Sequence, residues 1–224
     1  MKNKYNVIIT GSTGMLGKAC LLESIKDDRI EKILLINRSK IDIISPKIKE
    51  ILVKNYIELE NFKDELNGYD ACFHCMGISA VGMSEENYTK ITFDATKILA
   101  DLLYSLNPNI IFNYISGTGT DSTEKSSIMW ARVKGKTENY ILNKGFKNAY
   151  AFRPGLIIPE KGVKPKSKVY FIVYLILSPF LPLLKLSSKV STSTKIGRAM
   201  INTLFINYPK NHLENNDISQ LGDN

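Results

Sequence analysis

The sequence predicts an α/β fold: a single doubly wound domain with a parallel sheet and helices on both faces. Three observations predict it. Short apolar, β-branched runs alternate along the chain with longer segments of helical periodicity, the pattern of repeated βα units. The first run, Tyr5 to Ile9, passes through a glycine-punctuated turn into an apolar-periodic segment from Met15 to about Ile25. The 224 residues, 44% hydrophobic and 23% charged, suffice for one globular domain with a sizeable core.

That first turn is Gly11-Ser12-Thr13-Gly14-Met15-Leu16-Gly17. Gly11 lets the chain leave the strand sharply. Gly14 lets backbone N–H groups approach a phosphate, and Gly17 lets the new helix lie close on the strand. The helix N-terminus then offers free donors and the positive end of its dipole to a dinucleotide pyrophosphate, so the fold expected is of Rossmann type.

Glu31 to Ile36 reads as the second strand, apolar on both faces as a buried parallel strand is. Its tip is Asn37-Arg38-Ser39-Lys40. In a dinucleotide fold an acidic residue here takes the ribose 2′-hydroxyl of NAD; Arg38 instead suits a 2′-phosphate, so NADP(H) is preferred over NAD(H). Glu50 to Val53 is a short third strand, Leu59 to Leu66 a short amphipathic helix, and Asp70 to Cys75 the fourth strand, ending at Met76-Gly77 where backbone passes close to a ligand. Residues 85–106 read as one long helix closed by Pro108. Ile110 to Ile115 is the fifth strand and releases the small polar loop Ser116-Gly117-Thr118-Gly119-Thr120. A helix follows from Ser126 to Asn143, then a sixth strand from Asn148 to Phe152 that ends in Arg153-Pro154-Gly155-Leu156, and a last amphipathic helix from Thr192 to Phe205. Between these lies 158–190, read as a substrate-side lid, with an apolar stretch at 169–186 broken by Pro179 and Pro182. Lysines 161, 164, 166 and 168 leave room for peripheral contact of 161–189 with an anionic membrane. Residues 1–207 form the expected nucleotide-binding domain, and the polar residues 208–224 a flexible tail.

The net charge of +8 favours anionic partners, but no Arg/Lys cluster interleaved with aromatics points to nucleic acid. The N-terminal Met-Lys-Asn-Lys lacks the apolar core of a signal peptide, and three cysteines suit a reducing compartment, so a cytoplasmic location is expected. Cys72 and Cys75 lie three apart on a strand, where their sulfurs diverge to opposite faces as buried structural thiols. His74 and His212 stand too far apart in the chain to suggest a metal site.

Taken together, the glycine turn, the Asn37-Arg38 tip, Met76-Gly77, Ser116, Arg132-Val133-Lys134-Gly135 and Arg153-Pro154-Gly155 resemble the extended and atypical short-chain dehydrogenases/reductases over residues 5–206, in particular small oxidoreductase-like proteins related to the Tat-interacting protein. The resemblance implies roles. Ser116 falls on the family's catalytic serine, Lys134 on the lysine that holds the nicotinamide ribose and lowers a neighbouring phenol's pKa, Asn55 on the acidic residue that reads adenine, and Pro154, Gly155 and Leu156 on the turn facing the nicotinamide. One position departs. The family pattern is Tyr-x-x-x-Lys, two side chains sharing a helix face, and this chain has Trp130-Ala131-Arg132-Val133-Lys134. An indole N–H donates a hydrogen bond but cannot act as general acid or base. Two readings follow: an oxidoreductase or epimerase-like enzyme acting on an apolar or amphipathic small molecule without the usual tyrosine, or an NADP(H)-binding sensor that has lost the chemistry.

Overall fold

The computed structural model describes residues 4–160, 162–163 and 189–223. Seven strands form one sheet in which every pairing is parallel: β1 (Tyr5–Thr10), β2 (Ile30–Asn37), β3 (Ile48–Leu52), β4 (Ala71–His74), β5 (Ile111–Ile115), β6 (Asn148–Arg153) and β9 (His212–Glu214), in the order β3-β2-β1-β4-β5-β6-β9. The order reverses between β1 and β4, and the carboxyl ends of these two strands therefore open a crevice. A separate parallel pair joins β7 (Leu156–Ile158) to β8 (Val190–Thr192).

Alternation along the strands builds the two cores. Val7 and Ile9 of β1, with Ile33 and Leu35 of β2, face Cys20 and Leu21 of α1 (Met15–Lys26), Ala199 and Met200 of α6 (Ser193–Asn202), and Ile218 and Leu221 of α7 (Asn215–Asp223). Ile8, Leu34, Cys72 and Phe112 point the other way, onto Leu99 and Leu103 of α4 (Ala95–Leu106) and Ile141 of α5 (Met129–Leu142). Each fully buried side chain of this size contributes about 1.5–3 kcal/mol. The helices expected on both faces are present, and Cys72 and Cys75 belong to opposite cores.

Three expectations are corrected. The stretch 85–106 is not one regular helix: α3 (Glu85–Thr89) widens into a π turn at Lys90–Asp94 before α4 begins. Thr96 Oγ1 turns back onto the Thr92 carbonyl at 2.6 Å there, a side chain occupying the helical ladder. The short helix after β3 starts as a 3-10 segment, Tyr56–Phe62, and becomes α2 only at Lys63–Leu66. The region expected as a flexible tail supplies β9 and α7, with Leu213, Ile218 and Leu221 fully buried. Polar composition hid three apolar anchors placed at the spacing a strand and a helix need. The 158–190 lid, the 169–186 apolar stretch and the 161–189 membrane segment lie almost wholly outside the described residues; only their flanks, β7 and β8, are seen.

Candidate active site

Gly11 and Gly17 behave as their spacing predicts. Gly11 sits at φ +69°, and a Cβ there would stand 2.8 Å from the Cys75 carbonyl oxygen. A Cβ at Gly17 would meet the Gly11 carbonyl oxygen at 2.2 Å, a distance no side chain tolerates. Gly14 opens α1 and its N–H donates to the Gly11 carbonyl at 2.8 Å. The turn is thus closed on itself, with the first N–H groups of α1 beyond it lacking intrahelical acceptors.

These residues form one wall of a cleft of about 340 Å³. Gly11, Thr13 and Gly14 face Ile36, Asn37 and Arg38 from the β2 tip, Asn55 after β3, and Met76 and Gly77 after β4. The tip is held rigidly. The Ser12 hydroxyl donates to Asn37 Oδ1 at 2.9 Å, and Asn37 Nδ2 donates to Glu50 Oε1 at 2.7 Å. Ser12 and Asn37 are therefore buried clamps, and Arg38 beside them is exposed. Lys54 and Lys90 add positive charge to the lining. Asn55 spends its amide on capping the 3-10 segment, accepting from Ile57 N–H at 3.0 Å and donating to Glu58 at 3.2 Å, so it borders the cleft with its side chain already engaged. Met15, Leu16 and Gly17 are not among the residues that line this cleft.

The second constellation sits at the end of β5. Trp130 and Lys134 lie on successive turns of α5, as the four-residue offset requires. Lys134 Nζ donates to the Ser116 carbonyl at 2.6 Å. Burial pushes its pKa down to about 8, with Glu138 pulling the other way. The Ser116 hydroxyl does not face the open side. It is 7% exposed, donates to the carboxylate of Glu138 and lies 3.0 Å from the Phe152 carbonyl. Glu138, fully buried one turn after Lys134, also receives Arg153 Nε at 3.0 Å and a second bond from Arg153 Nη2, and has His212 Nε2 at 3.5 Å. Arg153 reaches on to Ser122 Oγ at 2.5 Å and Glu214 at 3.3 Å.

The exposed hydroxyl in this loop belongs to Thr118. Its Oγ1 donates to the Arg153 carbonyl at 3.1 Å and lies 3.7 Å from where a Cβ at Gly155 would stand, so it borders the Pro154-Gly155 turn. Pro154 is buried and its carbonyl accepts from Thr118 N–H at 3.0 Å. Gly155 is pressed against the Lys189 carbonyl, 2.4 Å from an added Cβ, and Leu156 is exposed at the start of β7. The Trp130 ring edge lies 3.4 Å from where a Cβ at Gly119 would stand, so the indole rests on the same loop. Sequence reasoning missed Thr118, Glu138 and His212. Glu138 was findable, because Trp130, Lys134 and Glu138 continue one helical stripe.

Between the two constellations lies a neutral buried histidine. His74 Nε2 is 2.9 Å from Thr96 Oγ1, whose only proton goes to the Thr92 carbonyl. The imidazole must therefore donate from Nε2 and accept at Nδ1 from the Thr10 hydroxyl, 2.7 Å away. Burial, then the Lys134 charge, pushes its pKa down to about 3. It knits β1 and β4 to α4 as a fixed hydrogen-bonded group, and its burial keeps it out of any ligand set.

No protein-family profile matches the chain. Among curated proteins it is 26% identical over 163 residues to Protein HTATIP2 of Rattus norvegicus, covering 72% of this chain and 66% of that protein. It is 27% identical over 156 residues to the mitochondrial Protein FMP52-2 of Scheffersomyces stipitis, covering 68% and 66%. The match thus spans just under two thirds of these relatives' length. Among solved structures, the Helicobacter pylori ADP-L-glycero-D-manno-heptose-6-epimerase superposes with a TM-score of 0.71 at 14% identity, covering 99% of this chain and 81% of that one. A Saccharomyces cerevisiae short-chain dehydrogenase/reductase gives 0.69 at 14% identity, covering 98% of each chain. The Bordetella bronchiseptica enzyme WbmH, solved in complex with NAD+, gives 0.67 at 14% identity, covering 90% and 72%.

Proposed function

We propose that this chain, an atypical short-chain dehydrogenase/reductase in its fold, binds NADP(H) in the β1–β4 crevice and is at most a weak dehydrogenase on a small apolar or amphipathic substrate. One observation carries the reading: the glycine cradle, which a single Cβ would fill, opens onto a cleft whose β2 tip presents Arg38 where an NAD-selective site needs a carboxylate. The site residues fit such a dinucleotide. The α1 N-terminus takes the pyrophosphate, Arg38 the 2′-phosphate, Met76 and Gly77 the backbone-lined wall, and Lys134 the nicotinamide ribose. Bound there, the cofactor supplies or accepts a hydride at its nicotinamide ring.

Ser116 acts through its carbonyl, which orients Lys134, while its hydroxyl is engaged by Glu138. The exposed hydroxyl oxygen beside Gly155 is that of Thr118, which can accept from a substrate while its proton is given to the Arg153 carbonyl. Trp130 closes the loop side of the site and gives no proton to a developing alkoxide. The neighbour solved with NAD+ supports the cofactor class.

A second reading, a cofactor-binding sensor without turnover, is favoured by that same Trp130. Trp130→Tyr separates the two. Restoring a phenol one turn before Lys134 returns a general acid worth roughly a hundred- to ten-thousand-fold. If the sensor is an enzyme that has lost its proton donor, NADPH-dependent reduction of simple carbonyls rises from background in the variant; in a working enzyme the exchange leaves activity flat or lowers it. Robust wild-type turnover that survives loss of every nearby tyrosine overturns both the sensor reading and the weight given to the missing phenol.

A further inference from the structure

Three sulfur atoms gather beneath the glycine turn, on elements far apart in sequence. Cys20 lies on α1, one turn beyond Gly17, and is fully buried. Cys75 follows β4; its carbonyl abuts Gly11, the residue is half-buried, and it lines the nucleotide cleft. Met200 of α6 completes the group, accepting from Cys75 Sγ at 3.8 Å. α6 also seals the other thiol, because a Cβ at Gly197 would stand 3.1 Å from Cys20 Cα. Cys20 and Cys75 pack in the same core, with Cys75 near enough to push the Cys20 pKa up further after burial, whereas Cys72 points into the opposite core.

We propose that Cys20 and Cys75 are a thiol-oxidation site, closed to a disulfide by a hydroperoxide that enters through the cleft, and that the disulfide and the dinucleotide exclude one another. The chemistry balances. Cys75 Sγ attacks the peroxide, its thiol proton and the distal oxygen leave as water or alcohol, and Cys75 becomes a sulfenic acid. Cys20 Sγ then attacks Cys75 Sγ, and its proton leaves with the sulfenic hydroxyl as a second water. Two thiols lose two electrons and the O–O bond gains them. The asymmetry of access fits this order: Cys75 lines the cleft that the oxidant enters, and Cys20, fully buried behind it, is left to resolve. A cross-link at this point ties α1 to the Cys75-Met76-Gly77 wall. The Gly11–Gly17 turn is packed on the Cys75 backbone, so any shift of α1 or Cys75 that closes the bond reshapes the cradle that takes the dinucleotide.

The exclusion half of the proposal rests on the NADP(H) reading; the disulfide half does not. The test is hydrogen peroxide treatment of the full chain, with intact mass and peptide mapping. Expected are the loss of two hydrogens, a linked Cys20–Cys75 peptide pair, reversal by dithiothreitol, and no link in Cys75→Ser. Cys75 driven to sulfinic or sulfonic acid without a link, a link through Cys72, or no mass change overturns the proposal without touching the cofactor reading. With NADPH bound, the link is expected to form more slowly, and each tenfold preference of NADPH for the dithiol form raises its midpoint potential by about 30 mV. A potential unmoved by NADPH that demonstrably binds overturns the exclusion. Failure of NADPH to bind at all overturns the cofactor reading and leaves the disulfide standing.

Discussion

Removing Arg153 exposes how the second constellation is held together. Its guanidinium, 13% exposed, is the main counter-charge to Glu138, whose side chain is 0% exposed. In Arg153→Ala that carboxylate keeps the Ser116 hydroxyl and His212 at 3.5 Å, with no other ion pair among the described residues. Breaking a buried pair from one side costs about 3–5 kcal/mol. In a chain of this size each kcal/mol moves Tm by about 2–4 °C, so the expected loss is roughly 6–20 °C. Glu138→Ala should cost less, because Arg153 retains Glu214 at 3.3 Å and Ser122 at 2.5 Å and can reach water. The double variant Glu138→Leu/Arg153→Met should lie above both, since no charge is left buried. Thermal and urea unfolding of the four proteins give the ranking. Single variants within about 1 kcal/mol of wild type, the worth of an exposed pair, would refute the buried network.

Gly17→Ala places a methyl 2.2 Å from the Gly11 carbonyl oxygen, so the turn must shift; dinucleotide binding should be lost, with a destabilisation of about 1–3 kcal/mol. Gly77→Ala, with no atom within 4 Å of its added Cβ, should leave the melting curve unchanged. Lys134 titrates near 8 when folded and near about 10.4 when unfolded, so the folded state releases its proton first as pH rises. The cost of burying its charge is complete below pH 8 and fades from there to about 10.4. Urea midpoints measured across that window should move in favour of wild type relative to Lys134→Met; curves that stay parallel would show that the ammonium is not buried. Because the ribose-holding ammonium is lost in the same range, NADPH affinity should fall as pH rises past 8.

Much of the fold was legible because parallel strands buried on both faces leave continuous apolar runs, and because Gly11 and Gly17 meet a positive φ and a close backbone approach that no other residue tolerates. The π turn was not legible: the Thr96 hydroxyl that turns back onto the Thr92 carbonyl there is also tied to His74, 22 residues away in sequence. β9 and α7 were missed since three apolar anchors in a polar stretch give no clear period until a sheet edge is there to receive them. Within the site, the pairing of Trp130 with Lys134 follows from helical spacing alone. The orientation of Ser116 does not, because it depends on a carboxylate from the next turn of α5 and a guanidinium from β6.

Trp130 is the only tryptophan in the chain and lies one helical turn from Lys134, so its emission reports on a reduced nicotinamide bound beside that lysine. Titration of the wild-type protein with NADPH and with NADH, read as quenching of that emission and transfer to the nicotinamide, tests the central claim most directly. Both should saturate, with NADPH bound roughly tenfold to a hundredfold more tightly, the worth of a charge-assisted phosphate contact at Arg38, and Arg38→Asp should level or reverse the order. No saturable signal with either nucleotide, or equal affinities for the two in wild type, would contradict the account.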